Sequence, residues 1–305
     1  MKLVCLGNTI IDVTVAVGAF PERGGDVLAS SGTLHAGGSG FNVMSAASRL
    51  GVTSIYGGMH GTGPFGDLAR TAMNHEGIEL VQQPDADEDT GWDIAITDAS
   101  AERTFITVVG AESRLTAERI ALVTIQPGDA VYVSGYGLLA EPNRTTILDW
   151  LKRAPAGVVV VTDPGPLVAD IPDRTRGDIL AHTTWWSANE REATTMTGEH
   201  DPMVAAFHIA QSGCGVVVRL GASGCVVAEP GKDAQLVPGV AVDALDTNGA
   251  GDAHVGAFIA SLLDGLDPLA SAGRANAAAA FSVTRAGPAT APTARELEQF
   301  LERGR

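Results

Sequence analysis

The chain has 305 residues, 45% of them hydrophobic, and sets 20 basic against 36 acidic residues for a formal net charge of −16. That is enough apolar material for one large α/β domain or two modest ones. The acidic balance, with no basic run anywhere, argues against nucleic acid or an anionic membrane as partner, and no apolar segment reaches the ~20 residues of a membrane span.

The N-terminus, a brief apolar run that soon reaches Asp12, reads as a strand and not as a signal peptide. Buried-strand patterns, short and bounded by Gly, Pro or Asp, occur at 3–6, 54–56, 130–133, 158–161 and 216–220. Helical patterns lie between or after them at 42–50, 68–75, 144–152, 203–211, 253–263, 270–284 and 294–302. The alternation predicts a mostly parallel sheet with helices on both faces. Two places break it: 13–17 with 27–34, and 92–97 with 104–109, read as hairpin strands with no helix between, the second pair turning at 99–102. Cys5, Cys214 and Cys225 are odd in number and lie in apolar stretches, so free buried thiols in a reducing cytoplasm are expected.

The most informative segment is Asp246-Thr247-Asn248-Gly249-Ala250-Gly251-Asp252, followed by an apolar helical run. Small residues at a helix start let successive N–H groups converge on an anion. A carboxylate beside a bound phosphate is out of place for simple anion binding. It suits a base that takes the proton of an attacking hydroxyl during phosphoryl transfer. Taken alone, Gly249–Gly251 would sooner be read as a tight turn, with Asp252 compensating the helix dipole.

This segment, together with Gly37-Gly38-Ser39-Gly40-Phe41-Asn42, resembles the paired signatures of the ribokinase-like (PfkB) carbohydrate and nucleoside kinases. Asn189-Glu190-Arg191-Glu192 is similar to the family's NxxE, Leu220-Gly221-Ala222-Ser223-Gly224 to its LGxxG, and Ser282–Gly287 to its closing segment. The resemblance implies a single domain over 1–305. Its fold would be a three-layer α/β sandwich with a mostly parallel central sheet and a small β-strand lid over the sugar site, inserted at about 12–36 and 90–110. Pairing of such lids would make a homodimer.

The resemblance also implies the site. ATP would lie along the C-terminal half, its phosphates at the N–H groups of Gly249, Ala250 and Gly251, with Asp252 as base. Gly221 and Gly224 would let backbone approach the nucleotide, and Asn276 would lie beside the adenine, although a polar residue on a helix surface reads the same way. Asn189 and Glu192 would help place Mg²⁺ through water, and a helix-capping role for the pair coexists with that reading. Asp246, Asn248, Ser282 and Gly287 match the places that hold a monovalent cation, K⁺. At the other end Asp12 and Asn42 would grip vicinal hydroxyls, with Gly37 and Gly38 admitting the sugar face. Phe41 stands where ribokinases proper carry a small residue; it would stack on a larger acceptor or fill core space. A free sugar phosphorylated on a primary hydroxyl is the first expectation, an adenosine- or pseudouridine-type nucleoside the alternative.

Gly61-Thr62-Gly63-Pro64-Phe65-Gly66 matches the dinucleotide pattern GxGxxG after a strand and before a helix, so an NAD-dependent oxidoreductase is the distant rival. Against it, Pro64 removes one N–H from the turn, and the acidic residues downstream fall in the loop 85–89. A catalytically silent sugar-binding protein is disfavoured by the intact Asp252 turn. His254 is expected to pack beneath that turn.

Overall fold

The computed structural model describes residues 1–99 and 103–303. The first half comprises β1 (Lys2–Cys5), β2 (Ile10–Ala16), β3 (Ser31–Gly37), α1 (Ser39–Arg49), β4 (Thr53–Tyr56), α2 (Pro64–His75), β5 (Glu79–Leu80), β6 (Trp92–Thr97) and β7 (Arg103–Val108). There follow α3 (Ala117–Ile120), β8 (Ala130–Ser134), α4 (Asn143–Leu151), β9 (Val159–Asp163), α5 (Asp173–Leu180), β10 (Trp185–Asn189), α6 (Glu190–Thr197), α7 (Pro202–Ala210) and β11 (Gly215–Arg219). The chain closes with β12 (Gly224–Ala228), β13 (Gln235–Pro238), α8 (Ala250–Leu263), α9 (Pro268–Ser282) and α10 (Ala294–Arg303).

Nine strands form one sheet in the order β13-β12-β11-β10-β9-β8-β1-β4-β5, parallel from β11 through β5, with β12 paired antiparallel to both its neighbours. Side-chain alternation along each buried strand feeds two cores. Leu3, Cys5, Tyr132, Val161, Trp185 and Val217 face α1, α8 and α9. Val4, Val131, Val133, Val160, Trp186 and Val218 face α4 and α7. The adjacent tryptophans Trp185 and Trp186 thus serve opposite layers, and the result is helix on sheet on helix.

A second sheet of four strands, in the order β3-β2-β6-β7, combines the two expected hairpins. Each hairpin is antiparallel, and β2 runs parallel to β6 between them. From Ser100 onward the turn expected at 99–102 lies outside the described residues. No described helix is long and apolar enough to cross a membrane. Cys5, Cys214 and Cys225 are free and buried, and burial pushes the Cys5 thiol up to about 12.

One close approach matters for the site. A Cβ on Gly256 would lie 2.5 Å from the Val43 carbonyl and 2.6 Å from Ala46 Cβ, so α1 and α8 touch backbone to backbone. Gly256 is one helical turn beyond Asp252 and Ala46 one turn beyond Asn42, so the contact also brings those two polar residues face to face.

Candidate active site

Ligands of open parallel sheets bind outside the carboxyl ends of the strands. Here those ends present Asn8 after β1, Ser134 closing β8, Asp163 closing β9, Asn189 closing β10 and Arg219 closing β11. Ser39, opening α1, ties two of these loops together: its hydroxyl lies 2.9 Å from Asn8 Oδ1 and 2.8 Å from Ser134 Oγ.

Gly249 is the N-cap of α8 with φ 71°, and a Cβ there would lie 1.9 Å from the Pro288 carbonyl, so only glycine fits. Ala250 and Gly251 form the first turn, where helical N–H groups lack intrahelical partners; the Ala250 N–H makes a long 3.3 Å bond to the Thr247 carbonyl. Asp252 Oδ2 accepts a 2.8 Å hydrogen bond from Asn42 Nδ2, joining two signatures 210 residues apart. Asp252 keeps some solvent access yet is set deep among protein atoms. Desolvation pushes its carboxyl up to about 7, the Asn42 bond opposes that rise, and Asp163 adds to it. A carboxylate poised near neutrality is suited to general base work.

Behind the turn sits a charged network that the sequence reading missed. Arg219 Nη1 donates to Asp163 Oδ2 at 2.8 Å and to Ser187 Oγ at 2.6 Å, and Nη2 lies 3.6 Å from Glu192 Oε2. Its guanidinium borders Gly251, 3.5 Å from where a Cβ would be. Its one trace in the sequence is a charged residue closing a run of valines, Val216-Val217-Val218-Arg219. The expected cap at Asn189 is present. Asn189 Oδ1 accepts from the Glu192 N–H at 2.8 Å, while Glu192 accepts from the Asn189 N–H at 2.8 Å and from its amide at 2.7 Å. Burial, with Asp163 nearby, pushes the Glu192 carboxyl up.

On the second sheet Asp12 is 7% exposed, and burial, Asp93 and Asp252 together push its carboxyl up to about 7. A Cβ on Gly37 would lie 2.2 Å from Asp12 Oδ2, so Gly37 makes room for the carboxylate as much as for a ligand. Gly38 caps α1 with φ 81°, and its Cβ would strike the Asn8 carbonyl at 2.8 Å. Asp93 went unnoticed in the sequence. It stands directly across from Asp12 in the β2–β6 register, is equally buried, and is pushed up to about 6 by burial. Phe41 is buried in the core, the second of its two expected roles.

At the end expected to hold the nucleotide, Gly221 has φ 58° and open space where a Cβ would point, as a close ligand approach requires. Gly224 differs: its Cβ would lie 2.2 Å from the Val237 carbonyl, so it serves packing. Asn276 is neither at the surface nor free. Its amide donates to the Val237 and Pro238 carbonyls at 3.1 Å each, and its Oδ1 pairs with His254 Nε2 at 3.1 Å. His254 packs under the first turn of α8 as expected, and burial lowers its pKa to about 3, so it is neutral. Asp246, Asn248, Ser282 and Gly287 do come together: Asp246 accepts from the Asn248 N–H at 2.9 Å and the Gly287 N–H at 3.0 Å, and the Ser282 carbonyl accepts from Thr290.

The rival motif is closed. Gly63 caps α2 with φ 122°, and Asp89 accepts from the Phe65 and Gly66 N–H groups at 3.0 and 2.7 Å. The N–H groups a pyrophosphate would use already hold a protein carboxylate, drawn from the acidic loop 85–89.

Comparison with known proteins fits this geometry. A family model described as pfkB family carbohydrate kinase matches residues 1–295. The chain is 32% identical to "Uncharacterized sugar kinase YegV" of Escherichia coli, covering 97% of this chain and 92% of that protein. It is 30% identical to an ATP-dependent ribose-1-phosphate kinase of Halopiger xanaduensis, covering 99% and 98%. The solved structure of ribokinase from Giardia lamblia superposes with a TM-score of 0.85 over 99% of this chain and 98% of that one, at 24% identity. This chain therefore belongs to the pfkB family of carbohydrate kinases, and it is an ATP-dependent sugar kinase of ribokinase-like fold.

Proposed function

We propose that the chain transfers the γ-phosphoryl group of ATP to the primary hydroxyl of a small free sugar of pentose or ketohexose size. The observation that carries this reading is the Asn42–Asp252 hydrogen bond, because it sets the base of the anion turn directly against the signature that grips the acceptor. Asp252 orients the acceptor hydroxyl and takes its proton as the oxygen attacks the phosphorus. The N–H groups of Gly249, Ala250 and Gly251, with Arg219 beside them, stabilise the charge on the moving phosphoryl oxygens. Asp12 and Asn42 hold vicinal hydroxyls, which leaves an exposed CH₂OH as the group able to reach Asp252.

The nucleoside alternative finds less support. A base sandwich needs clustered free aromatic faces; Phe41 is in the core and Trp92 is packed against Phe65 at 5.7 Å between ring centroids, which leaves the exposed Phe105 of β7 as the lid's single candidate among the described residues. Among the described residues no group of three or more His, Cys, Asp and Glu has the arrangement to hold a metal directly. Glu192, with both oxygens bonded to Asn189, fits a Mg²⁺ held through water. Mg²⁺ so held would neutralise phosphate charge. Asp246, Asn248, Ser282 and Gly287 form the candidate K⁺ loop. The outward row Leu34, Val13, Ile94 and Ile106, apolar across all four lid strands, supports a homodimer through the lid. The buried free thiols suit a cytoplasmic protein.

The test is an ADP-release assay with Mg-ATP over ribose, fructose, other free sugars, adenosine and pseudouridine, repeated with Asp12→Ala. Turnover of a free sugar that falls steeply in the variant is expected. Exclusive turnover of a nucleoside reverses the ranking.

A further inference from the structure

Asp93 has no part in the reading above, and its surroundings are unusual for a structural residue. Aspartate is depleted from strand interiors, and like charges directly opposed across strands are destabilising. Yet Asp93 sits on β6 in direct register with Asp12 on β2, on strands roughly 4.8 Å apart, so the two carboxylates leave the sheet on the same face. Both residues are 7% exposed. Asp93 Oδ1 is buried without a hydrogen-bond partner, so no internal bond accounts for it. Independently, Asn42, which is 6% exposed and anchored to Asp252, also has its Oδ1 buried and unpartnered. Two orphaned acceptors, one on the residue paired with Asp12 and one on the residue bonded to Asp252, are what a donor-rich ligand would fill.

The charges that bear on Asp12 itself have one sign. The charges acting most strongly on Asp12 are the carboxylates of Asp93 and Asp252. His35, opposite Asp12 on β3, is exposed, and Arg219 is bound to Asp163 and Ser187 behind the catalytic turn. On the far side of Asp93, Thr107 shares its register and borders a small cavity of about 110 Å³ lined also by Asn8, Ile10 and Tyr136. The acceptor end thus presents carboxylates, an amide and a hydroxyl, and the nearby guanidinium is already paired.

We propose that Asp93 is a specificity-determining residue that pairs with Asp12 to bind a neutral polyol through at least three hydroxyl donors and to reject acceptors bearing a phosphate or carboxylate. The inference rests on the sugar-kinase reading of the same site. Each carboxylate accepts from two hydroxyls, so a polyol fills the orphaned lone pairs and separates the two charges. An anionic acceptor would add a further like charge to a desolvated site, which excludes it by repulsion. Within the family resemblance this sets the chain apart from the relative named as a ribose-1-phosphate kinase.

The experiment uses matched acceptors that differ only by a phosphate: ribose against ribose 1-phosphate, and fructose against fructose 1-phosphate, each retaining a free primary hydroxyl. Initial rates of ADP release are compared for the wild type, Asp93→Asn and Asp93→Ala, with thermal melts to verify folding. The wild type is expected to favour the neutral member of a pair by about 100-fold in kcat/KM. Asp93→Asn should raise KM for the neutral sugar about 10-fold while kcat stays within about 3-fold, and should shrink the neutral-to-anionic ratio at least 10-fold. A wild type that turns over the phosphorylated member as well as the neutral one overturns the inference. So does a ratio altered less than 3-fold in both variants. Either outcome leaves the kinase reading standing, whereas a wild type that phosphorylates no sugar at all removes both.

Discussion

Helices α1, α2 and α8 all begin at glycine-rich turns with positive φ, and the last two have opposite chemistry. At α2 the turn Gly61–Gly66 is packed solid: Cβ atoms on Gly61 and Gly66 would strike the Glu88 and Gly61 carbonyls at 2.2 and 2.0 Å, and Asp89 fills the N-terminal N–H groups. At α8 the same kind of turn carries its carboxylate, Asp252, within the first helical turn, where it is held by Asn42 and left with solvent access. Asp89 closes an anion site as a permanent internal ligand. Asp252, in the reading proposed above, stands beside one. A glycine pattern therefore reports only that backbone approaches something closely, and the nearest carboxylate decides whether that something is the protein itself or a ligand.

The strongest way to break the contrast is Asp252→Asn. The isosteric amide keeps the shape but cannot take a proton, so turnover should fall by roughly 10² or more with ATP affinity little changed. Near-normal kcat would remove Asp252 as the base. A related effect should appear in the pH profile. With Asp252 and Asp12 pushed up to about 7 and Asp93 to about 6, log kcat/KM should climb from pH 5 to pH 7 and level off above. Stability should move the other way: a carboxyl raised in the folded state stabilises it below its unfolded value near 4 and ceases to do so as pH rises through 7. Asp252→Asn should accordingly melt about 2–5 °C above wild type at pH 8 and close to it at pH 4. Identical melts at both pH values would deny the desolvation of Asp252.

Smaller effects separate the two turns. Gly249→Ala demands left-handed backbone from alanine and drives a Cβ into the Pro288 carbonyl, so it should cost about 2–4 kcal/mol in urea unfolding and impair turnover as well. Asp89→Ala removes the partner of two N–H groups at α2 and should cost about 1–2 kcal/mol. Its kcat should stay close to wild type, and the opened turn should still show no saturable NAD binding by calorimetry. Loss of activity matching that of Asp252→Asn would mean that the α2 turn belongs to the active site.

The fold was legible wherever burial leaves a periodic imprint. The valine runs of β8, β9 and β11 and the helical patterns of α1, α4 and α8–α10 are readable because one physical demand, burial on a fixed face, dictates each residue. Strand β10 was not, since Trp185-Trp186-Ser187-Ala188-Asn189 lacks branched residues and divides its bulk between two cores. The short strands β12 and β13, set between glycines, and the polar α5, with few apolar residues to mark a period, also gave no signal. Asp252, Asn42 and Asp12 stood out through the local motifs around them. Asp93 did not, because alternation along a strand tells which residues share a face without telling whether that face meets solvent or substrate. Arg219 and Asp163 likewise acquire meaning only when parallel pairing aligns the ends of β9, β10 and β11.

The smallest expected effect concerns the loop that supports the α8 turn. Asp246 holds this loop through the Asn248 and Gly287 N–H groups, and the Pro288 carbonyl packs directly under Gly249, so any ordering of 282–288 is transmitted to the N–H groups of Gly249–Gly251. A monovalent cation of the right radius, bound by carbonyls there, would hold the turn in its anion-binding form and leave the carboxylate chemistry of Asp252 untouched. K⁺ should therefore raise kcat by a few-fold over Na⁺ at matched ionic strength, with KM for the sugar little changed because Asp12 and Asn42, and not this loop, would hold its hydroxyls. No such link exists at α2, whose N–H groups are held by Asp89, so its stability should not distinguish the two ions. Equal rates in KCl and NaCl would show that protein contacts alone fix the α8 turn, making it as self-sufficient as the turn at α2.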